Sequence, residues 1–408
     1  MRTLAHGYDP VGNRTDTTLP DGRRLNWLFY GSGHLHQINI AQPGHEGAHQ
    51  VIADIERDAL HREVGRSQGH LASSYQYDPA GRLTRHRVAR AGNGNAVDVR
   101  GQALSPALLE RAYAYNAAGQ LVARADSLRG RQDFRYDPTG RILAAIPGAL
   151  QGGRAGGSYN AELFAFDPAG NLLPEGSSGT GSTGEGAIFD NRPRFYQDLH
   201  FEYDAHGNVT RRTRGNQKAG HQEVVELRWN ADHQLIESTS TRHGVSQSTR
   251  YAYDALGRRV TKSDAFGSTR YLWDGDLMIH SQRGVKQALY VYEPDSFIPL
   301  ATVQGAANDS ASEQTYWYQC DQIGVPQELT DEQGHIAWAA DYKVWGEAKL
   351  RAIDWLRTGT DGGPARGGSA WHVGAAGSSS YGGAVASPIV EQPFRFQGQQ
   401  FDEETGLH

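Results

Sequence analysis

Aromatic and aliphatic positions along this chain bracket short polar stretches of nearly fixed composition. A ring closes one segment, Asp or Asn follows it directly, Gly stands four positions after the ring, and an aliphatic residue soon opens the next segment. The unit occurs as Tyr8-Asp9 with Gly12, Tyr77-Asp78 with Gly81, Tyr115-Asn116 with Gly119, and Tyr136-Asp137 with Gly140. It returns as Phe166-Asp167 with Gly170, Tyr203-Asp204 with Gly207, and Tyr253-Asp254 with Gly257. Self-similarity of this kind marks a repeat architecture. Each unit predicts a hairpin corner. Asp at the first turn position can accept from backbone amides ahead of it, Pro at the second (Pro79, Pro138) is pre-set at φ of about −65°, and Gly takes the left-handed position. A turn followed by such a Gly closes a hairpin with a bulge. The ring then ends the incoming strand, and Leu83, Ile142 or Leu172, two residues past the Gly, starts the outgoing one, placing an apolar pair across the ladder.

Degenerate copies extend the array: Trp229-Asn230-Ala231-Asp232-His233 lacks the Gly, Trp273-Asp274-Gly275 is shortened, and Cys320-Asp321-Gln322-Ile323-Gly324 lacks the ring. The rings lie 21 residues apart from Tyr115 to Tyr136 and 20 to 26 apart from Tyr203 through Trp229 and Tyr253 to Trp273, which accommodates two ordinary strands and their connections. A two-stranded hairpin is marginal alone in water, so neighbouring units must pair edge to edge. Right-handed twist accumulating along a continuous sheet of this kind curls it. The predicted fold is therefore all-β, tandem hairpins forming a curled or spiralling sheet, a cage or cocoon of which this chain is a partial shell. The array is assigned to residues 1–357. Gly/Ser-rich stretches at Gly148 to Gly157, Gly176 to Gly186 and, largest, Thr358 to Ser387 within a 358–390 insertion read as mobile loops. Residues 391–408 form a separate closing segment.

Composition agrees with many turns anchored by rings: 50 of 408 residues are Gly and 10% are aromatic, against 38% hydrophobic and 21% charged. A single cysteine, Cys320, excludes an intramolecular disulfide framework, and no run of about 18 apolar residues exists to cross a bilayer. The chain reads as soluble. Met1 to Gly7 lack the charged and apolar regions of a cleaved leader, so export by a route other than Sec is the expectation. A formal charge of −6 offers no basic stripe for phosphates and argues against a nucleic-acid partner.

Several segments are more specific than the generic repeat. They are Phe29 to Ile38, Glu56 to Val64, Tyr290 to Leu300, Cys320 to Thr330, and the closing run that contains Pro393, Phe394, Arg395, Phe396, Gly398, Phe401, Asp402, Thr405, Gly406 and Leu407. With these and the repeat, the chain resembles the Rhs (rearrangement hotspot) proteins, the YD-repeat cores of bacterial polymorphic toxins, related to toxin-complex cages and teneurins. The resemblance implies a β-cage that encapsulates a C-terminal toxin domain for delivery to competing cells, usually by type VI secretion. It implies made-in-cytoplasm, Sec-independent export. It also implies that the rest of the core, an aspartate-dependent self-cleavage motif and the toxin follow the closing signature, outside this chain. Implied partners are the enclosed toxin domain and the rest of the Rhs core, secretion spike proteins, a loading chaperone, and an immunity protein bound to the toxin. No cofactor, nucleic acid or membrane insertion is implied for this segment.

Four places in the sequence offer sharper chemistry. Asp54, Glu56 and Asp58, with His61 and Glu63 near them, could share one face of a strand as a two-metal site would need; a polar strand interleaved with Arg57 and Arg62 is the preferred reading. His34 and His36 have a ligand-like spacing without a third ligand marked nearby. Cys320 could be a nucleophile, but it replaces a ring of the repeat and is expected to fill a buried gap. The recurring Asp residues have sufficient duty in their own turns. No catalytic residue and no metal site is assigned. Two other functions stay open: a carbohydrate-binding adhesin-like module, which requires rows of outward-facing rings, and a toxin enzyme in its own right.

Overall fold

The computed structural model describes residues 3–44, 49–98, 100–101, 103–148, 160–173, 188–189, 191–196, 198–215, 222–307, 309–351 and 390–407. Apart from Gly148, the Gly/Ser-rich stretches singled out above lie outside the described residues. The described residues are strands joined by turns and short irregular segments, with no α-helix among them. Thirteen strands, from Ala5–Tyr8 to Glu162–Leu163, form one antiparallel sheet, and fifteen, from Phe195–Tyr196 to Ala348–Leu350, form a second. In both, every strand pairs with its neighbours in sequence, so the order contains no crossover. Among the described residues the single helical element is the 3-10 turn Phe396–Gly398.

The hairpins close where local chemistry directs. Tyr77 pairs with Leu83, Tyr136 with Ile142 and Tyr203 with Val209, with a register shift just before each ring. The aliphatic partner is not universal: Tyr8 faces Arg14 and Tyr253 faces Arg259.

One long sheet was the expectation, and the structure differs. Among the described residues between the two large sheets, the pairing is limited to the two-residue pairs Ala165–Phe166 with Leu172–Leu173, and Ile188–Phe189 with Arg192–Pro193. Ladders this short do not carry pairing across the gap. The end of the second sheet instead lies face to face with the beginning of the first. Leu25, Ile38, Ile52 and Ile55 pack with Leu289, Leu300, Trp317 and Leu329 in one core, and Trp317 Nε1 donates to the Ile52 carbonyl at 2.7 Å. Neither sheet closes on itself.

Candidate functional site

Three constructions dominate the molecule: the ladder of turns, an ionic fastening between the sheets, and the docked C-terminal segment.

The turn at Asp78 represents the ladder. Its amide donates to the Arg82 carbonyl (3.0 Å), and the Gly81 amide donates back to the Asp78 carbonyl (2.9 Å). Asp78 Oδ1 accepts from the amides of Ala80 and Arg82, each at 2.9 Å, and Oδ2 accepts from Arg82 Nε at 2.7 Å. The amide and guanidinium of Arg82 hold this carboxyl below its ordinary pKa. Asp9, Asp137, Asp167, Asp204 and Asp254 sit in the same closure, and Asn116 does so with its amide oxygen. Gly81, Gly140 and Gly257 have φ of +81°, +92° and +80°, a region other residues reach only with strain. His233 takes that position at φ +59°, which explains the copy without Gly. Gly12, Gly119, Gly170 and Gly207 are likewise left-handed.

The rings do something the sequence reading missed. Seven of them donate across to the preceding repeat, onto a backbone carbonyl that in all but the Tyr203 case belongs to the residue opening its outgoing strand. Tyr77 Oη donates to Glu63 (2.7 Å), Tyr115 to Leu83 (2.9 Å), Tyr136 to Leu121 (2.7 Å), Tyr203 to Pro193 (2.7 Å) and Tyr253 to Leu235 (2.9 Å). Trp229 and Trp273 do the same through Nε1, to Val209 and Arg259 at 2.7 and 2.8 Å. Cys320 reproduces the contact weakly, its thiol 3.7 Å from the Pro299 carbonyl, and burial pushes that thiol well above its ordinary pKa. Phe166 has no donor, and there the Arg141 guanidinium lies 5.1 Å over the ring. Arg82 covers Tyr115 in the same way at 4.8 Å. These rings are half-buried, with their polar ends committed; Tyr8, 62% exposed, is the exception. A Tyr or Trp at a fixed offset was the available signal, read as packing alone.

The same turn closure also occurs at Leu19-Arg23, Tyr30-His34, Asp58-Arg62, Asp331-His335 and Lys343-Glu347. This corrects the polar-strand reading of Asp54 to Glu63. The strand ends at Arg57, Asp58 caps the turn and binds Arg62, and His61 takes the left-handed position at φ +61°. Asp54 and Glu56 both bind Arg100, at 3.0 and 2.6 Å, while Glu63 is part-buried against Arg66. His34 stacks on His61 at 4.0 Å, and His36 lies 3.6 Å from Asp54. Among the described residues no three metal-ligating side chains converge.

Between the sheets lies a buried ionic cluster. Arg129, at 0% exposure, donates to Asp126 (3.0 Å) and Glu328 (2.5 Å) and reaches Asp341 at 3.1 Å. Arg111 also binds both Asp126 and Glu328. Burial alone would raise the Asp126 pKa, but Arg111 and Arg129 outweigh it and hold it at about 2. Arg129 stands in a hairpin turn, where the sequence carries no sign of burial.

The signature residues cross the face of the second sheet. Phe394 is buried among Tyr290, Tyr292 and Tyr318, with centroids 4.7, 5.7 and 6.3 Å away. The Pro393 carbonyl accepts the Phe401 amide at 2.9 Å, and the Arg395 guanidinium covers the Phe401 ring at 4.8 Å. Gly398 has φ +76° against Phe297, and Phe396 is partly exposed. Asp402 binds Arg259 at 2.7 Å and Lys262 at 2.9 Å; Glu404 binds Lys262 at 2.8 Å and accepts from Tyr251 Oη at 2.6 Å. Burial would lower the Lys262 pKa, but Asp402 and Glu404 raise it. The Thr405 and Gly406 amides donate to the Asp402 carbonyl, and Leu407 packs with the group of Val225, Leu227 and Tyr251.

Comparison with known proteins agrees with this architecture. A family model described as "RHS protein" matches residues 315–350, and one described as "RHS Repeat" matches residues 115–147 and 229–269. The chain is 34% identical to "Double-stranded DNA deaminase toxin A" of Burkholderia cenocepacia, over all of this chain and 26% of that protein. It is 26% identical to "Toxin protein Tse5" of Pseudomonas aeruginosa, over all of this chain and 30% of that protein. It is 27% identical to "Probable deoxyribonuclease RhsB" of Dickeya dadantii, over 85% of this chain and 22% of that protein. The chain thus spans under a third of these relatives. The crystal structure of TcdB2-TccC3-Cdc42 superposes with a TM-score of 0.52 at 14% identity, covering 85% of this chain and 18% of that one, a likeness of fold alone.

Proposed function

Because this chain belongs to the Rhs family, we propose that it is a wall segment of a shell that encloses a toxin domain carried elsewhere in the same polypeptide. The observation that carries this reading is the repeat-to-repeat fastening: five tyrosines and two tryptophans of the repeat are tied to the preceding hairpin, and the second sheet returns to lock on the first through a buried ionic cluster. Such a wall is cross-tied, and the charges of that cluster are spent on holding it together. The relatives' deaminase and nuclease names belong to proteins three or more times as long as the matched stretch, so we assign catalysis to parts outside this segment. Residues 1–357 would form the wall and 391–408 its closing strap. Export without a Sec leader, by type VI secretion into competing cells, with spike proteins, a loading chaperone and an immunity protein as partners of the whole polypeptide, completes the proposal. The half-buried, hydrogen-bonded rings disfavour the sugar-stacking alternative, which needs them free.

The test is protease protection in the full-length protein. The toxin domain should survive protease doses that digest it when expressed alone, and cryo-electron microscopy should place its density inside the β wall. Equal digestion of the two forms would overturn the container reading.

A further inference from the structure

A cavity of about 420 Å³ lies where three parts of the molecule meet: the Leu121–Gln132 region of the first sheet, the Asp321 and Lys343 turns of the second, and the Arg395–Gln399 stretch of the strap. That volume is in the range of small-ligand pockets. Its rim gathers exposed apolar groups, Trp345 at 54%, Ile323 at 53% and Phe396 at 38%. Apolar side chains clustered at one opening are uncommon on a surface that only meets water.

Three polar atoms of the lining are left without partners. Arg395 is 7% exposed. Its Nη1 donates to the Phe394 carbonyl at 2.8 Å, but its Nε is hidden from solvent and unbonded. Among the described residues no carboxylate lies within salt-bridge distance of this guanidinium. Tyr342 Oη and Gln322 Oε1 are also hidden and unbonded. Unmatched buried groups of this kind cost the fold stability, and a ligand that matched them would remove the cost. The other charges at the cavity are engaged. Asp321 accepts the Val325 and Ile323 amides at 3.0 and 3.1 Å, Arg124 donates to Gln132 at 2.9 Å, and Lys343 pairs with Glu347 at 2.7 Å.

A matching ligand needs an anionic acceptor for Arg395 and Tyr342, an N–H donor for Gln322, and an apolar body for the rim. The smallest common unit that offers all three on one carbon is the last residue of a peptide, with its α-carboxylate, its amide N–H and its side chain. We propose that this cavity binds the carboxyl-terminal residue of a peptide ending in a large apolar side chain. The site stands independently of the shell reading.

The experiment titrates the full chain with N-acetyl-L-phenylalanine by calorimetry, beside N-acetyl-L-phenylalaninamide and acetate. Saturable binding of the carboxylate is expected, at least about ten-fold weaker for the amide and absent for acetate. Arg395→Met should lose at least about ten-fold in affinity. Trp345→Ala, at the exposed rim, should weaken binding while the unfolding midpoint stays unchanged, so the test survives if Arg395→Met fails to fold. No binding of N-acetyl-L-phenylalanine up to about 10 mM, equal binding of the amide, or undiminished affinity in Trp345→Ala would each overturn the assignment.

Discussion

Removing Glu328 tests the fastening between the sheets most directly. The side chain is fully buried between Arg111 and Arg129. With Asp126 these groups balance two positive against two negative charges, and Asp341 with Arg351 adds a second balanced pair. Glu328→Met nearly preserves the volume but leaves two guanidiniums to share one carboxylate, so one buried positive charge is uncompensated. Breaking a buried pair from one side costs about 3–5 kcal/mol. Arg111→Met in the same molecule restores neutrality, and the double variant should then be more stable than Glu328→Met alone, with a coupling of at least about 1 kcal/mol. Urea unfolding followed by the fluorescence of buried Trp317 and Trp338 reads all four proteins. A loss below about 1 kcal/mol for Glu328→Met, or strict additivity in the double variant, would refute the idea that this cluster fastens the sheets.

Four further outcomes are expected. Gly140→Val should lower stability by about 1 kcal/mol or more, since φ there is +92° and the new Cβ would meet Gln120 Nε2 at 3.2 Å; an unchanged melting temperature contradicts the turn geometry. Tyr136→Phe deletes the donor to the Leu121 carbonyl and should cost about 0.5–1.5 kcal/mol, whereas a neutral result in chemical denaturation would mean the ring serves packing only. His86 is buried, stacks on Tyr75 at 4.6 Å and has an unbonded Nε2; burial first, then Arg111 and Arg66, hold its pKa well below the unfolded 6.5. Its contribution is therefore intact above that value and falls as pH drops through it, because the unfolded chain takes the proton first. His86→Phe should flatten the stability loss between pH 7.5 and 5.5 by about 1.4 kcal/mol, and parallel pH curves for the two proteins would count against this. Asp402→Asn leaves Arg259 without its carboxylate and Lys262 with Glu404 alone, so trypsin should cut after Arg395 faster; an unchanged cleavage rate would show that the strap is held by packing.

Some features were legible from the start, and others were read in the wrong register. The turns at Asp78, Asp137 and Asp254 are readable because donor, acceptor and left-handed residue all lie within five positions of chain. Asp58 was misplaced on a strand because its turn carries Arg57 where a ring is usual and His61 where Gly is usual. The rings' hydrogen bonds are not legible in sequence because a hydroxyl's partner is not written beside it; Tyr136 finds Leu121 fifteen residues back only once both hairpins exist. The signature was recognised as a block, but its anchors, Arg259 and Lys262, lie 140 or more residues upstream.

The hairpins, their antiparallel order and the all-β class follow from local sequence, because a turn closes on its own neighbours and twist follows from chirality. Where the ladder breaks, that the second sheet returns onto the first, and which charges are buried depend on long-range packing. Glu328 meets Arg129 and Arg111 across 199 and 217 residues. A charge so placed looks in sequence like any solvated residue, and only the opposing surface removes it from water and makes its partner obligatory.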